Sequence, residues 1–255
     1  MRYEKLAVSR PRPDVWMLTL NSPPDNRFTV RVLAELSAGL DQVEGEWRLA
    51  NKGREPSKKS GGAIVIASAL AKFFSNGYEP DIVHGPGFIT DTAYPPLYRV
   101  LSFPLVTIAA IEGHAFAGGC LLAMCCDFRI MGTGKAWISM NEVFAGMPLS
   151  YAVAAIVSTR VDKRLYRDIT LGKRWTAYEA RDVGIIDEVV DNSVDSRAVI
   201  DRAVALGEEK APLVASGAWD SIKISEHGES GKLPLNPEEQ AKRFWGKMEK
   251  KKAYL

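Results

Sequence analysis

Sulfur and imidazole are scarce in this chain. Its 255 residues include three cysteines and three histidines. Cys120, Cys125 and Cys126 are odd in number and share one apolar run. They therefore argue against a disulfide framework and read as reduced, buried thiols of an intracellular protein. His84, His114 and His227 stand far apart, and no Cys/His spacing fits zinc, so no metal site is expected. A charge bias is also missing. Lys plus Arg number 33 against 31 Asp plus Glu, a net +2, which gives no support for a nucleic-acid partner. Long apolar runs are absent too. The longest, Gly113 to Cys126, is too short to span a bilayer and contains His114. Met1 to Pro13 carries scattered charges and no apolar signal core. The expectation is a soluble protein with no membrane span. With 46% hydrophobic residues, the chain can bury one substantial core, or one large domain with a smaller appendage. Inspection shows no internal repeat.

What is present alternates between strand and helix patterns. Val15–Leu20 is a short apolar run ended by Asn21-Ser22-Pro23-Pro24, hence a strand and a turn. Val32, Leu33, Leu36, Leu40 and Val43 recur at helical spacing behind Thr29, a suitable N-cap. Asn51–Gly62 is basic and lacks apolar residues, so it reads as a surface loop. Ala63–Ser68 and Val106–Ile111 are continuous apolar runs typical of strands buried on both faces. Glu79–Pro96, rich in Gly, Pro and Asp, reads as a mobile loop. Phe128–Met131 and Ala136–Ile138 read as further short strands. Beyond Leu149 the pattern is mainly helical. It includes a capping box at Thr176 and Glu179, a stop at Gly184 and a strand over Ile185–Val190. Helices are expected over 196–210 and 211–224, then a polar link (226–237) and a charged last helix (237–252). Strands alternating with helices imply an α/β layer structure.

Two glycine-containing stretches carry the chemistry. In Phe73-Phe74-Ser75-Asn76-Gly77-Tyr78-Glu79 and in Gly113-His114-Ala115-Phe116-Ala117-Gly118-Gly119-Cys120, glycines let backbone N–H groups come close to a ligand. The second stretch runs straight into an apolar helix, Cys120–Cys126, whose N-terminus favours an anion or a developing oxyanion.

These stretches resemble the two oxyanion loops of the crotonase, or enoyl-CoA hydratase/isomerase, superfamily. Ser139-Met140-Asn141-Glu142-Val143 followed by Gly146 resembles its catalytic-acid segment. Leu171–Ala180 with Val183–Asp187 resembles its late helix–strand signature. The resemblance implies an α/β fold: a crotonase-like spiral of ββα units over residues 1–195, and a C-terminal helical trimerisation region over 196–255. It implies an acyl-CoA thioester substrate, no separate cofactor (coenzyme A being part of the substrate), and a homotrimer or hexamer. Carried over by position, the oxyanion donors are the backbone N–H groups of Tyr78 and Gly119. Ser75, Asn76, Gly77 and Gly118 shape the pocket.

Hydratases of this family hold their water with two glutamates. Here the first position is Leu121 and the second is Glu142. A single carboxylate resembles the Δ3,Δ2-enoyl-CoA isomerases, and the Phe73–Tyr78 wording resembles their peroxisomal type in plants and fungi. The expected reaction is a 1,3-proton shift by Glu142, in fatty-acid β-oxidation, with Leu121, Phe116 and Phe144 as an apolar wall. The alternatives are another crotonase-type reaction (hydratase, dehydratase or thioesterase) and a non-catalytic crotonase-like scaffold. A thioesterase would be expected to carry another acid shortly after Glu142, where Met147-Pro148-Leu149-Ser150 has none. His114 reads as a satisfied buried histidine, the cysteines as core packing and Glu79 as structural. Lys242, Arg243, Lys247, Lys250, Lys251 and Lys252 are a solvated helix face or a contact to CoA phosphates. The terminal Ala253-Tyr254-Leu255 departs from a peroxisomal tripeptide at its middle residue. The peroxisome is therefore expected from resemblance, with the cytoplasm as the alternative.

Overall fold

A computed structural model of the chain describes residues 3–85 and 87–232. In chain order the elements are β1 (Leu6–Arg12), β2 (Val15–Leu20), α1 (Val30–Asn51), β3 (Ala63–Ser68), β4 (Phe73–Ser75), α2 (Pro80–Val83) and α3 (Tyr94–Leu101). Then come β5 (Val106–Ile111), β6 (His114–Phe116), α4 (Gly118–Cys125), β7 (Phe128–Gly132), β8 (Ile138–Ser139) and α5 (Tyr151–Arg160). The described chain ends with α6 (Tyr166–Thr170), α7 (Ala177–Asp182), β9 (Glu188–Val190), α8 (Ala198–Lys210) and α9 (Trp219–Lys232).

Two sheets share this chain. The larger has the order β1-β2-β3-β5-β7-β9, parallel throughout except for the β1–β2 hairpin. The smaller, β4-β6-β8, is all parallel. Each pair β3/β4, β5/β6 and β7/β8 gives its first strand to the large sheet and its second to the small one. A helical segment then follows before the next pair begins. The result is a spiral of ββα turns, as the sequence resemblance implied.

Helices cover both faces of the large sheet. Val15 on β2 meets Gly207 of α8, where an added methyl group would lie 3.2 Å from the valine. Leu18, of opposite parity on the same strand, packs against Gly39 of α1. Covered on both sides, β3 and β5 are buried at every residue, which is why their sequences are continuous apolar runs. The Thr29 hydroxyl caps α1 by accepting from the Val32 N–H, and Thr176 with Glu179 forms the expected capping box on α7.

Several boundaries differ from expectation. Helix α1 runs to Asn51, because Trp47 is buried and its indole N–H donates to the Ser60 carbonyl. The expected mobile loop over 79–96 is largely helical. It contains α2, a π-helical segment (Phe88–Ala93) and the start of α3. Phe88, Ala93 and Tyr94 are buried there, and Pro95 and Pro96 stand in the first turn of α3, where their missing N–H groups cost nothing. The 185–190 strand shortens to β9, with Ile185 and Ile186 buried in the turn before it. The 211–224 helix divides into a 3-10 turn (Ala211–Val214) and α9, which continues into the expected polar link as far as Lys232, where the described residues end. The charged last helix with its six basic residues, and the terminal tripeptide, lie outside the described residues. Among the described residues no helix is long and apolar enough to cross a membrane.

Candidate active site

The three segments singled out in the sequence leave the same edge of the small sheet. Strands β4, β6 and β8 are parallel, with Ser75 opposite Ala115 and Phe116 opposite Ser139. Their carboxyl ends therefore deliver Asn76–Tyr78, Ala117–Gly119 and Met140–Glu142 side by side. Parallel sheets gather ligands beyond these strand ends.

The first loop depends on a left-handed glycine. Gly77 has φ of +81°, and a β-carbon there would lie 2.8 Å from the Ala117 methyl and 3.0 Å from the Gly118 nitrogen. Phe28 clamps the loop from outside: its N–H donates to the Gly77 carbonyl at 2.7 Å, and its carbonyl accepts from the Glu79 N–H at 3.4 Å. That pairing leaves the Tyr78 N–H between them pointing inward. Among the described residues it has no acceptor.

A buried polar network holds the loop from below. Asn26 is fully buried with φ of 52°. Its amide donates to Ser68 Oγ at 2.8 Å and to the Phe74 carbonyl at 3.1 Å, and its carbonyl accepts from the Ser75 hydroxyl at 2.8 Å. Ser75 Oγ in turn accepts from the Gly77 N–H at 3.2 Å. Asn76 is tied twice to Asp25, by its N–H to the carbonyl at 3.0 Å and by its side-chain amide to the carboxylate at 2.8 Å. Sequence reasoning missed Asp25 and Asn26. The signal lay in their residue types, directly behind Pro23-Pro24: Asn and Asp tolerate left-handed backbone and bond to neighbouring main chain.

The second loop is set by Ala117, a non-glycine residue at φ 48°, ψ −119°. Such a conformation costs about 1–3 kcal/mol. It is stapled by the Ala117 N–H donating to the Ser139 carbonyl and the Leu121 N–H donating to the Ala117 carbonyl, each at 2.9 Å. It turns the chain so that Gly118 and Gly119 open α4 against the first loop. A β-carbon on Gly119 would fall 2.3 Å from the Ser75 carbonyl oxygen, and one on Gly118 would fall 3.0 Å from the Tyr78 ring. The Gly119 N–H, like that of Tyr78, has no acceptor among the described residues. It lies in the first turn of a helix, where the macrodipole favours negative charge.

Glu142 begins a 3-10 turn (Glu142–Ala145) closed by the left-handed Gly146, and the Met147 N–H donates back to the Glu142 carbonyl at 3.0 Å. Its Oε2 is buried and lacks a hydrogen-bond partner. Burial pushes its carboxyl up to about 7, opposed only by its own backbone N–H. Burial above all, with the Glu142 charge among the lesser causes, raises both the Tyr78 hydroxyl and the Cys120 thiol, so the acid is within electrostatic reach of a residue at each glycine loop. Leu121, one turn into α4, is buried and apolar.

Two residues depart from the expected apolar wall. Phe144 is 68% exposed and rests on Gly172, whose added β-carbon would touch the ring at 2.7 Å. Phe116 shares a face of β6 with His114, so its ring stacks there at 5.0 Å with the Arg174 guanidinium above it at 5.7 Å. The two-residue period of the strand sends that ring to the opposite side from Ala115. The aromatic surroundings of the site come instead from Tyr78, set edge-on to Phe28 and Phe88, each at 5.9 Å.

His114 is buried, and its Nδ1 accepts from the Trp137 N–H at 3.0 Å, as a satisfied core histidine should. The three cysteines are free and buried, and burial pushes the Cys125 thiol up to about 12, so they are packing groups. Glu79 stands at the N-cap of α2 but makes no side-chain capping bond.

Comparison with known proteins bears on the family and the fold. The family model "Enoyl-CoA hydratase/isomerase" matches residues 12–216. The chain is 30% identical over 227 residues to the peroxisomal enoyl-CoA delta isomerase 2 of Arabidopsis thaliana, covering 84% of this chain and 89% of that one. It is 28% identical over 241 residues to a probable enoyl-CoA hydratase of Bacillus subtilis, covering 90% and 85%. Among solved structures, an enoyl-CoA hydratase/isomerase family protein from Pseudomonas syringae superposes with a TM-score of 0.78 at 22% identity, over 94% of this chain and 98% of that one. The Mycobacterium tuberculosis enoyl-CoA isomerase gives 0.76 at 24%, over 90% and 93%. These structural likenesses establish a shared crotonase fold.

Proposed function

The chain belongs to the enoyl-CoA hydratase/isomerase family, and from that premise we propose that it moves the double bond of a 3-enoyl-CoA to the trans-2 position. The observation that carries this reading is the pairing of Leu121 with Glu142. The position that would hold a second acid is a buried leucine, and one desolvated carboxyl follows β8, whose end neighbours that of β6 in the small sheet. Hydration needs a water held and activated between two acids. A proton shift along the chain needs one group that takes and returns a proton.

In the proposed reaction the Glu142 carboxylate removes a proton from C2. Electrons flow through the C3–C4 double bond and the thioester carbonyl to give a dienolate. Its oxygen is held by the Tyr78 and Gly119 N–H groups, with Ser75, Asn76, Gly77 and Gly118 fixing their aim and Leu121 excluding water. The protonated Glu142 then delivers the same proton to C4, and a C2–C3 double bond results. A carboxyl titrating near 7 suits both halves of the cycle, since it gives and takes a proton at comparable cost. Fixed donors in a dry site are worth most as the oxygen gains charge, and loss of one costs about 100- to 1,000-fold in rate.

Turnover of 3-enoyl-CoA by wild type and Glu142→Gln tests the reading: the variant is expected to lose nearly all activity, and full retention overturns it. Fast hydration of crotonyl-CoA by wild type would instead favour the hydratase, the reading that the Bacillus subtilis relative suggests. The family reading extends to a homotrimer or hexamer, checked by sedimentation. It extends also to a peroxisomal site in β-oxidation, after the Arabidopsis relative, checked by imaging a tagged chain.

A further inference from the structure

Helix α5 packs against both α4 and α9, and at α5 and α9 lie buried polar atoms with no hydrogen-bond partner among the described residues. Arg160 ends α5, and its Nε and Nη2 are buried without a hydrogen-bond partner. His227 on α9 is 1% exposed, and neither of its ring nitrogens has a partner. We propose that Arg160 and His227 form a buried oxyanion site, for a carboxylate or phosphate-type group held between α5 and α9.

The surrounding charges leave this pair unanswered. Lys223 Nζ lies 2.7 Å from the Asp127 carboxylate and donates to the Leu105 carbonyl at 3.2 Å. The same carboxylate also accepts from the Thr107 N–H at 2.8 Å and the Trp219 indole at 3.3 Å. Arg129 donates to the Ile185 and Cys126 carbonyls at 2.8 and 2.9 Å and pairs with Asp187 at 3.1 Å. Glu226 comes within 3.6 Å of His227 Nε2, beyond hydrogen-bond reach, with its side chain turned largely to solvent. Asp127 and Asp187 thus have their cations already, and among the described residues no acid pairs with Arg160.

A helix C-terminus favours a cation, but it does not fill the guanidinium's donors. Leaving a buried charge uncompensated is strongly destabilising. The edge left free is the Nε–Nη2 edge, whose two parallel N–H groups match the paired oxygens of a carboxylate or phosphate. His227 supplies a third donor. Burial and then the Arg160 charge hold the imidazole below its ordinary value, and an oxyanion between the two would reverse that push. The chain's residues outside those described aside, the oxyanion has two sources in chemistry, a free anion or an Asp or Glu carboxylate of a second copy of this chain.

The test uses the full chain with inorganic phosphate, against sodium chloride at matched ionic strength. A free-anion site gives a saturable rise in Tm with phosphate, with half-saturation about tenfold higher in Arg160→Gln and intermediate in Arg160→Lys. A second copy's carboxylate instead gives about a tenfold weaker self-association in Arg160→Gln by sedimentation, and phosphate weakens wild-type association by competition. Imidazole nitrogen NMR of wild type alone provides a readout that survives any misfolding of the variants. Phosphate should raise the pKa of His227 while leaving His84 and His114 unmoved. The site is refuted if phosphate moves neither Tm, association nor the His227 resonances, or if Arg160→Gln responds as wild type does.

Discussion

Half-buried Glu142 has one carboxyl oxygen that is fully buried and has no hydrogen-bond partner among the described residues, and that arrangement must weaken the fold at the pH where the proposed base would work. A group whose folded pKa is raised is bound to its proton more tightly in the native state. Its ionisation therefore opposes folding: the protein is unaffected below the unfolded value, near 4.5, and loses stability as pH climbs through the folded value, near 7. At 1.36 kcal/mol per unit, the penalty is less than about 1 kcal/mol at pH 5 and about 3 kcal/mol at pH 8.5. Glu142→Gln keeps the volume and removes the charge. The variant should match wild type within about 1 kcal/mol at pH 5 and exceed it by about 3 kcal/mol at pH 8.5. Equilibrium urea unfolding of both proteins at the two pH values measures this directly. In the same wild-type protein, kcat/KM for 3-enoyl-CoA should rise with pH as Glu142 ionises, with a midpoint near 7, so that activity and stability move in opposite directions. A stability difference that is the same at both pH values, or that favours wild type at high pH, would refute the placement of this carboxyl in a dry pocket.

Other perturbations read the frame around it. Gly119→Ala drives a methyl group to 2.3 Å from the Ser75 carbonyl, so the two loops must part; kcat should fall at least about 100-fold while the circular-dichroism spectrum stays native. Asn26→Ala removes the bonds to Ser68 and to the Phe74 carbonyl from a fully buried position, and should cost about 2–4 kcal/mol in urea unfolding together with a loss of kcat. Leu121→Glu puts a second acid one turn into α4. Crotonyl-CoA hydration should appear where wild type has little, with a stability loss of several kcal/mol, roughly, for burying a new charge; a variant that folds but gains no hydration separates the acid count from the reaction type.

The pieces that were readable from the chain alone were those whose cause is local. The runs Ala63–Ser68 and Val106–Ile111 are apolar because both faces of their sheet are covered, and Thr176 with Glu179 caps α7 using atoms three residues apart. Gly77, Gly119 and Glu142 were recognisable through their spacing and the surrounding motifs. What stayed hidden depends on distant partners. Phe88 and Tyr94 turn a Gly- and Pro-rich stretch into helix because a core receives their rings. Asn26 acts across more than forty residues, on Ser68 and Phe74. The directions of Phe116 and Phe144 follow from the phase of β6 and from contact with Gly172, neither of which local composition encodes.

Gly77 rests against Ala117 and Gly118, and Gly119 rests against Ser75. Each turn is therefore the mould in which the other is cast. An engineer who transplants one from a cousin and leaves its mate behind imports a misfit at the very atoms meant to cooperate. By contrast, the side chain at 142 opens a short turn outside both loops, whereas that at 121 is packed in the core, so only the first can be exchanged without disturbing the cradle. If the proposed reaction holds, a lineage could vary position 142 while inheriting the paired turns unaltered.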